Sequence, residues 1–337
     1  MIAPSYPTRL SAACCAVASL VLATSLGAQN SSDLDRAIAL FEAEQFAQAQ
    51  PLFERAKKAS PKNPEPHYYL GRIMFDREFY DVALDSFEEA TDLAPMNSQY
   101  RYWHGRARLE LAQRASLLTK LSHATKAKRD FEKAIELDQR NVDAHEYLAH
   151  YLWNAPGTAG GDKDRAMMKL ADVARLDPPR ARRIRADFLM EEEKTEEAIQ
   201  ELLTLIDQHP DAATTGDFVT LGILYQQVEN FDAALAIFDR AIEQNEEAWT
   251  AHYQIGRTAA LSGKHLDRGA QALTRYLSQD PPPDPGWQSA ARWRLGMIYE
   301  HQGELQRALA EYERAVEVDP ERKEAKDAAR RLRKAIG

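Results

Sequence analysis

One spacing returns eight times along this chain, and it limits the fold more than any other feature. A small residue is followed four places on by a large apolar one, and three places later by a small or apolar one. The copies are Ala49-Phe53-Ala56, Ala83-Phe87-Ala90, Ala127-Phe131-Ala134, Ala166-Leu170-Val173, Ala198-Leu202-Leu205, Ala234-Phe238-Ala241, Gly269-Leu273-Tyr276 and Ala308-Tyr312-Ala315. Positions i, i+4 and i+7 share one face of an α-helix, so each copy marks a helix with a packing stripe. Successive copies start 34, 44, 39, 32, 36, 35 and 39 residues apart. A period in that range means repeated helical units, each leaning on the next, rather than one closed core.

Upstream of most copies an apolar residue precedes a small one: Leu70-Gly71, Leu148-Ala149, Leu221-Gly222, Ile255-Gly256 and Leu295-Gly296. Downstream stands a proline, at Pro61, Pro95, Pro178, Pro210, Pro281 or Pro320, which cannot continue a helix. Each unit therefore reads as two helices, a short turn and a stop. PHYYLGRIMFDREFYDVALDSFEEATDLAP (66–95) and RWRLGMIYEHQGELQRALAEYERAVEVDP (292–320) resemble the tetratricopeptide repeat signature nearly in full. The third and fourth units also look like those of bacterial envelope repeat proteins. The resemblance implies an all-α, right-handed superhelical solenoid of about eight helix-turn-helix units, at 34–63, 64–97, 98–141, 142–178, 179–212, 213–248, 249–286 and 287–320, with a capping helix over 321–337. The first unit lacks Leu-Gly, the third carries an insertion of about ten residues around RASLLTKLSHATK, and the fifth, with RARRIRADFL, is degenerate.

Residues 1–28 differ from the rest: Arg9, then the apolar run SAACCAVASLVLATSL, then small residues at Ser25-Leu26-Gly27-Ala28. This reads as a secretory signal peptide, so the mature solenoid, 29–337, is expected in the periplasm or outside the cell, with no stable membrane insertion after cleavage. Retention of that segment as a membrane tether is the alternative. Both cysteines fall inside it, so the mature fold must stand without disulfides. With 52 acidic against 43 basic residues, the net charge of −9 argues against nucleic acid as a partner.

If the units stack as the resemblance implies, the first helices line the concave wall. Counting from the small residue of each Leu-Gly pair, inward positions then fall on Tyr68, Tyr69 and Arg72; on Tyr102, Trp103 and Arg106; and on Tyr147, His150 and Trp153. Thinner continuations are Tyr253 and Arg257, then Trp293 and Arg294. An aromatic residue with a basic one three places on forms a ladder over three units, suited to a peptide or protein partner with acidic and apolar side chains. Replacing Trp103 by Ala and Arg106 by Glu is expected to weaken partner capture at unchanged melting temperature. The Lys and Asn set that holds a C-terminal carboxylate in part of this family is missing from these positions.

Other motifs are weaker. His145, Glu146 and His150 suggest a metal-dependent hydrolase, but the two histidines are i and i+5, about 140° apart around a helix, too far to share a metal. The APGTAGG stretch departs from a phosphate-binding loop because Asp162 and Asp164 flank Lys163. Its glycines are expected to build a lengthened turn. Arg180, Arg182, Arg183 and Arg185, like Arg330, Arg331, Arg333 and Lys334 and the group Lys120, Lys126, Lys128 and Arg129, read as solvated helix faces. The expectation is a non-enzymatic scaffold, with no catalytic residue, metal or cofactor.

Overall fold

A computed structural model of the chain describes residues 33–336, so the signal-peptide reading of 1–28 lies outside the described residues. Among these there are seventeen α-helices, two single 3-10 turns and no strand. They form two compact runs that divide between Leu176 and Asp177. The first run holds α1 (residues 33–42), α2 (Phe46–Ala59), α3 (Pro64–Asp76), α4 (Tyr80–Leu93), α5 (Ser98–Arg114), α6 (Leu117–Leu137), α7 (Val142–Asn154) and α8 (Lys163–Leu176). The second holds α9 (Pro178–Glu191), α10 (Thr195–Gln208), α11 (Thr215–Gln227), α12 (Phe231–Gln244), α13 (Trp249–Ser262), α14 (Leu266–Leu277), α15 (Pro285–His301), α16 (Leu305–Val318) and α17 (Lys323–Ile336). From α2 to α8 and from α9 to α17 each helix packs on the next, and Phe41 of α1 meets Phe46 and Phe53 of α2, which makes each run an all-α solenoid.

The repeated spacing has a direct physical cause. A Cβ on Gly71 would stand 2.7 Å from the Phe87 ring, one on Gly222 2.3 Å from Phe238, and one on Gly296 2.6 Å from Tyr312. The missing side chain lets the two helices of a pair approach until the aromatic ring fills the gap, and each of these rings is almost wholly buried. Phe87 also meets Trp103 of the following pair, with ring centroids 5.9 Å apart, so one side chain joins two units.

The ends of the helices are written locally. Asn63, Asn97 and Asn141 cap α3, α5 and α7 by accepting backbone N–H bonds, and Thr214 with Asp217 forms a reciprocal capping box on α11. At the turn inside a pair, the same reversal recurs: Phe79 N–H donates to Met74 O, Lys194 to Leu189, Asn230 to Tyr225 and Glu304 to Tyr299. The insertion in the third unit is helical, lengthening α6 to 21 residues where the other second helices have 12 to 14. The Gly-rich stretch is a turn with a 3-10 segment at Gly157–Ala159. Gly160 has φ +81°, and a Cβ on Gly161 would overlap Ala155 O at 1.7 Å. No helix of the described residues is long and apolar enough to cross a membrane.

Candidate functional site

In the first run Tyr68, Tyr69, Arg72, Tyr102, Trp103, Arg106 and Tyr147 of the expected ladder form one continuous aromatic and cationic cluster. Tyr68, Tyr102 and Trp103 are buried, whereas Tyr69, Arg72, Arg106, Tyr147, His150 and Trp153 are half-buried. The Arg72 guanidinium carbon lies 3.8 Å from the Trp103 ring centroid and 5.3 Å from Phe41, and its Nη1 donates to the Tyr68 hydroxyl at 2.8 Å. Arg106 lies 4.7 Å from Trp103, 4.7 Å from Phe75 and 4.8 Å from Tyr147. Burial pushes the Tyr68, Tyr102 and Tyr147 phenols up, opposed by Arg72 or Arg106, so these hydroxyls stay protonated near neutral pH. Among the described residues neither arginine makes an ion pair with a carboxylate. Ring faces hold a guanidinium in place, at about 0.5–2 kcal/mol each, without neutralising it. Its remaining N–H edge is what a carboxylate would meet.

Trp103 corrects one expectation. It is 9 % exposed and packs on Phe75, Phe87 and Tyr102. Trp103→Ala would empty a core site, at about 3–5 kcal/mol, so it does not isolate binding from folding. The frame placed Trp103 on the first helix correctly, but α3 lies close enough to supply Phe75 and close the ring over. Trp153 has Lys163 Nζ 4.3 Å over its ring.

In the second run the same frame carries different chemistry. Arg183, read as part of a solvated face, instead donates to both carboxylate oxygens of Asp217 at 2.8 to 3.0 Å, and also to Ala212 O. Arg182 and Arg185 both pair with Glu201. Among the residues read at the chain end as a solvated face, Arg331 pairs with Glu300 and Arg333 with Glu313. Tyr253 is buried against Tyr276 and Trp287. Arg257 Nη1 donates to Gln226 Oε1 at 2.7 Å, and Gln226 Nε2 donates to Thr258 Oγ1 at 2.6 Å. Arg294 stacks over Trp293 at 4.3 Å, and burial, with the charges of Arg257 and Arg322, pushes its pKa down. Arg257 and Arg294 likewise have no carboxylate ion pair among the described residues. Gln226, Gln254 and Thr258 were not anticipated, although Gln254 occupies the frame position of Tyr69 and Trp103.

His145 is buried, its Nε2 lies 3.1 Å from Gln139 O and its Nδ1 3.5 Å from Asp172. A carbonyl only accepts, so Nε2 carries the proton and offers a metal no lone pair. Among the described residues no three His, Cys, Asp or Glu side chains are placed to hold a metal ion.

Comparison with known families now decides the lineage. Three family models, all described as tetratricopeptide repeat, match residues 34–95 and 219–285, 289–322, and 111–141, together more than half of the chain. The chain belongs to the tetratricopeptide repeat family. Proteins of this family bind protein or peptide partners. No curated protein matches the sequence. Among solved structures, the repeat array is similar to the Cut9-Hcn1 hetero-tetramer of the APC/C at 16% identity and TM-score 0.51, covering 91% of this chain and 56% of that one. TTC0263, a thermophilic repeat protein of Thermus thermophilus, is similar at 20% identity and TM-score 0.46, with 54% and 92% covered. YrrB, described as having an unusual peptide-binding site, is 21% identical with TM-score 0.35, and 65% and 88% covered.

Proposed function

We propose that this repeat protein is an exported, non-catalytic scaffold that holds an acidic, partly apolar peptide or protein segment against the faces of its first helices. The observation that carries the reading is Arg72 and Arg106, with Arg257 and Arg294: four arginines in one repeat frame, fixed by rings or amides rather than by carboxylates. Other arginines, such as Arg182, Arg183, Arg292 and Arg331, are tied to acidic residues, Arg183 from a frame position of its own. A partner carboxylate meeting a preplaced guanidinium gains a charge-assisted, two-pronged hydrogen bond without ordering the arginine first. Export to the periplasm or beyond rests on residues 1–28, and the intact mass of protein recovered from the cell envelope tests it.

The binding test is affinity capture from that envelope fraction with the mature chain and with Arg72→Glu/Arg106→Glu, both checked for equal helical content. A protein captured by the first and lost from the second supports the reading. Equal recovery by both removes the first-helix face of residues 33–176 as the binding surface.

A further inference from the structure

At α15 the repeat frame ends on two neighbours that face different chemistry. Arg294 is half-buried, its Nε makes no hydrogen bond, its Nη1 lies 3.8 Å from Met297 Sδ, a weak acceptor, and it also meets the Tyr253 hydroxyl, not a carboxylate. Arg322, whose charge it feels, is engaged elsewhere: it donates to Ser289 Oγ at 2.7 Å and Gly286 O at 2.9 Å, and stands 3.7 Å from Asp319. The unneutralised charge therefore rests on Arg257 and Arg294. Removing a cation from water without a counter-charge is unfavourable, so this pair favours an incoming anion.

Trp293, beneath Arg294, also lines a cleft of about 630 Å³ formed with the capping helix α17. Met297, Glu300, Glu324 and Asp327 share its walls, with Arg331 and His301 as its cationic and titratable counterparts. Arg331 is held by Glu300, and the His301 Nε2 faces Ala260 O. Glu324 has no ion pair among the described residues, and Asp327 has only an exposed contact with Arg330 at 3.5 Å. An indole, a thioether and surplus carboxylates suit a long cationic side chain, whose stem packs on the ring while its head meets the acids.

We propose that this end of the chain reads a bipolar peptide: an acidic side chain on Arg257 and Arg294, and a Lys or Arg side chain in the α15–α17 cleft against Trp293. This rests on the reading that first-helix faces take a peptide. Arg294 and Glu300 lie on one helix, about 9 Å apart along its axis. Six residues also turn Glu300 about 120° round α15 from Arg294, so the acid and the base are at least about three residues apart in an extended peptide and at least about six in a helical one.

The experiment is selection of a random twelve-residue phage-displayed library on the full mature chain, followed by affinity measurement with a synthetic copy of the enriched peptide. Arg257→Gln/Arg294→Gln, Glu324→Gln/Asp327→Gln and Arg72→Glu/Arg106→Glu serve as comparison baits, each checked for unchanged helicity. The expected result is enrichment of an acid and a base at that spacing. The peptide should bind about tenfold or more weakly to each of the first two variants. The arginine variant should lose the preference for the acid alone, and the carboxylate variant the preference for the base alone. Peptides without the charge pattern, no enrichment, or binding to both variants equal to that of the parent chain would overturn the proposal. Peptides lost only by the Arg72/Arg106 bait overturn the bipolar site yet keep the broader reading of the first-helix face.

Discussion

Residues 33–176 and 177–336 place side chains at the same three frame positions and use them differently. In α3 and α5 those positions hold Tyr68, Tyr69 and Arg72, then Tyr102, Trp103 and Arg106, and the arginines lie over rings. In α9 they hold Arg183, Ile184 and Asp187, and Arg183 is locked to Asp217 of α11. In α11 they are Val219, Thr220 and Ile223, with no charge at all. The backbone geometry of the repeat is indifferent to this choice. An arginine over a ring keeps its charge unneutralised, whereas an arginine on a buried carboxylate has spent it on cohesion.

The largest expected effect breaks the second arrangement. Asp217 is 6 % exposed, accepts both prongs of Arg183 and also closes the capping box of α11. Asp217→Ala leaves Arg183 without its carboxylate and removes the Asp217 half of the capping box, and should lower unfolding free energy by about 3 kcal/mol or more in chemical denaturation. A loss below about 1 kcal/mol would mean that Arg183 finds water easily and the contrast with Arg106 is illusory.

A pH titration separates the two runs in another way. His67 and His145, both in residues 33–176, are held below their ordinary value of 6.5, chiefly by burial. Neutral in the folded state, they contribute stability that is whole above pH 6.5 and is lost as pH falls below it, because the unfolded chain takes up protons first. In 177–336 the groups shifted on the acid side are carboxylates. Burial raises Asp217, but its bonds to Arg183 and Thr214 outweigh that and hold it below 3.8, while Arg331 holds Glu300 below 4.5. Their contribution is present above those values and is lost only as pH falls below them. Hydrogen exchange, corrected for the intrinsic rate, should therefore speed up first in 33–176 as pH drops below the ordinary histidine value. His145→Gln should blunt the change. Simultaneous loss of protection in both runs would refute the assignment.

A smaller effect is expected on the ring-held side. Arg106→Met removes a cation from three rings but keeps the stem packed, so stability should change by no more than about 1 kcal/mol, while partner capture falls. A large destabilisation would make Arg106 a packing residue and withdraw it from the candidate site.

The fold was legible because its grammar is local. The small-to-large spacing, Leu-Gly and the proline stops each act within one pair of helices. The candidate site was legible only as a frame. Tyr68 and Tyr102 lie on the first helices α3 and α5, yet their burial depends on rings brought from other helices, such as Tyr100 and Tyr147. Arg183 could not be told from a solvated arginine, since Asp217 lies 34 residues away and neither residue type nor spacing announces the pair. The cleft at Trp293 was missed for the same reason: α17 was read as a polar cap, and its acids face the site only after it packs.

The finest comparison lies at the turns inside the pairs. Glu44, Glu78, Glu193 and Glu229 all have positive φ, near 60°, where the equivalent residue of the last pair is Gly303 at +80°. A side chain in that conformation costs about 1 kcal/mol, and glycine relieves it while giving the unfolded chain more freedom. Glu229 makes no ion pair among the described residues, so Glu229→Gly should raise unfolding free energy by about 0.5 kcal/mol. Glu78 lies 2.6 Å from Arg114, an exposed pair worth about 0–1 kcal/mol, so Glu78→Gly should come out near neutral. Equal gains at both turns would show that the surface pair contributes nothing. A loss at Glu229 would show that an acid at this turn interacts with something the strain argument leaves out, and its recurrence in four turns would then need a cause other than tolerance.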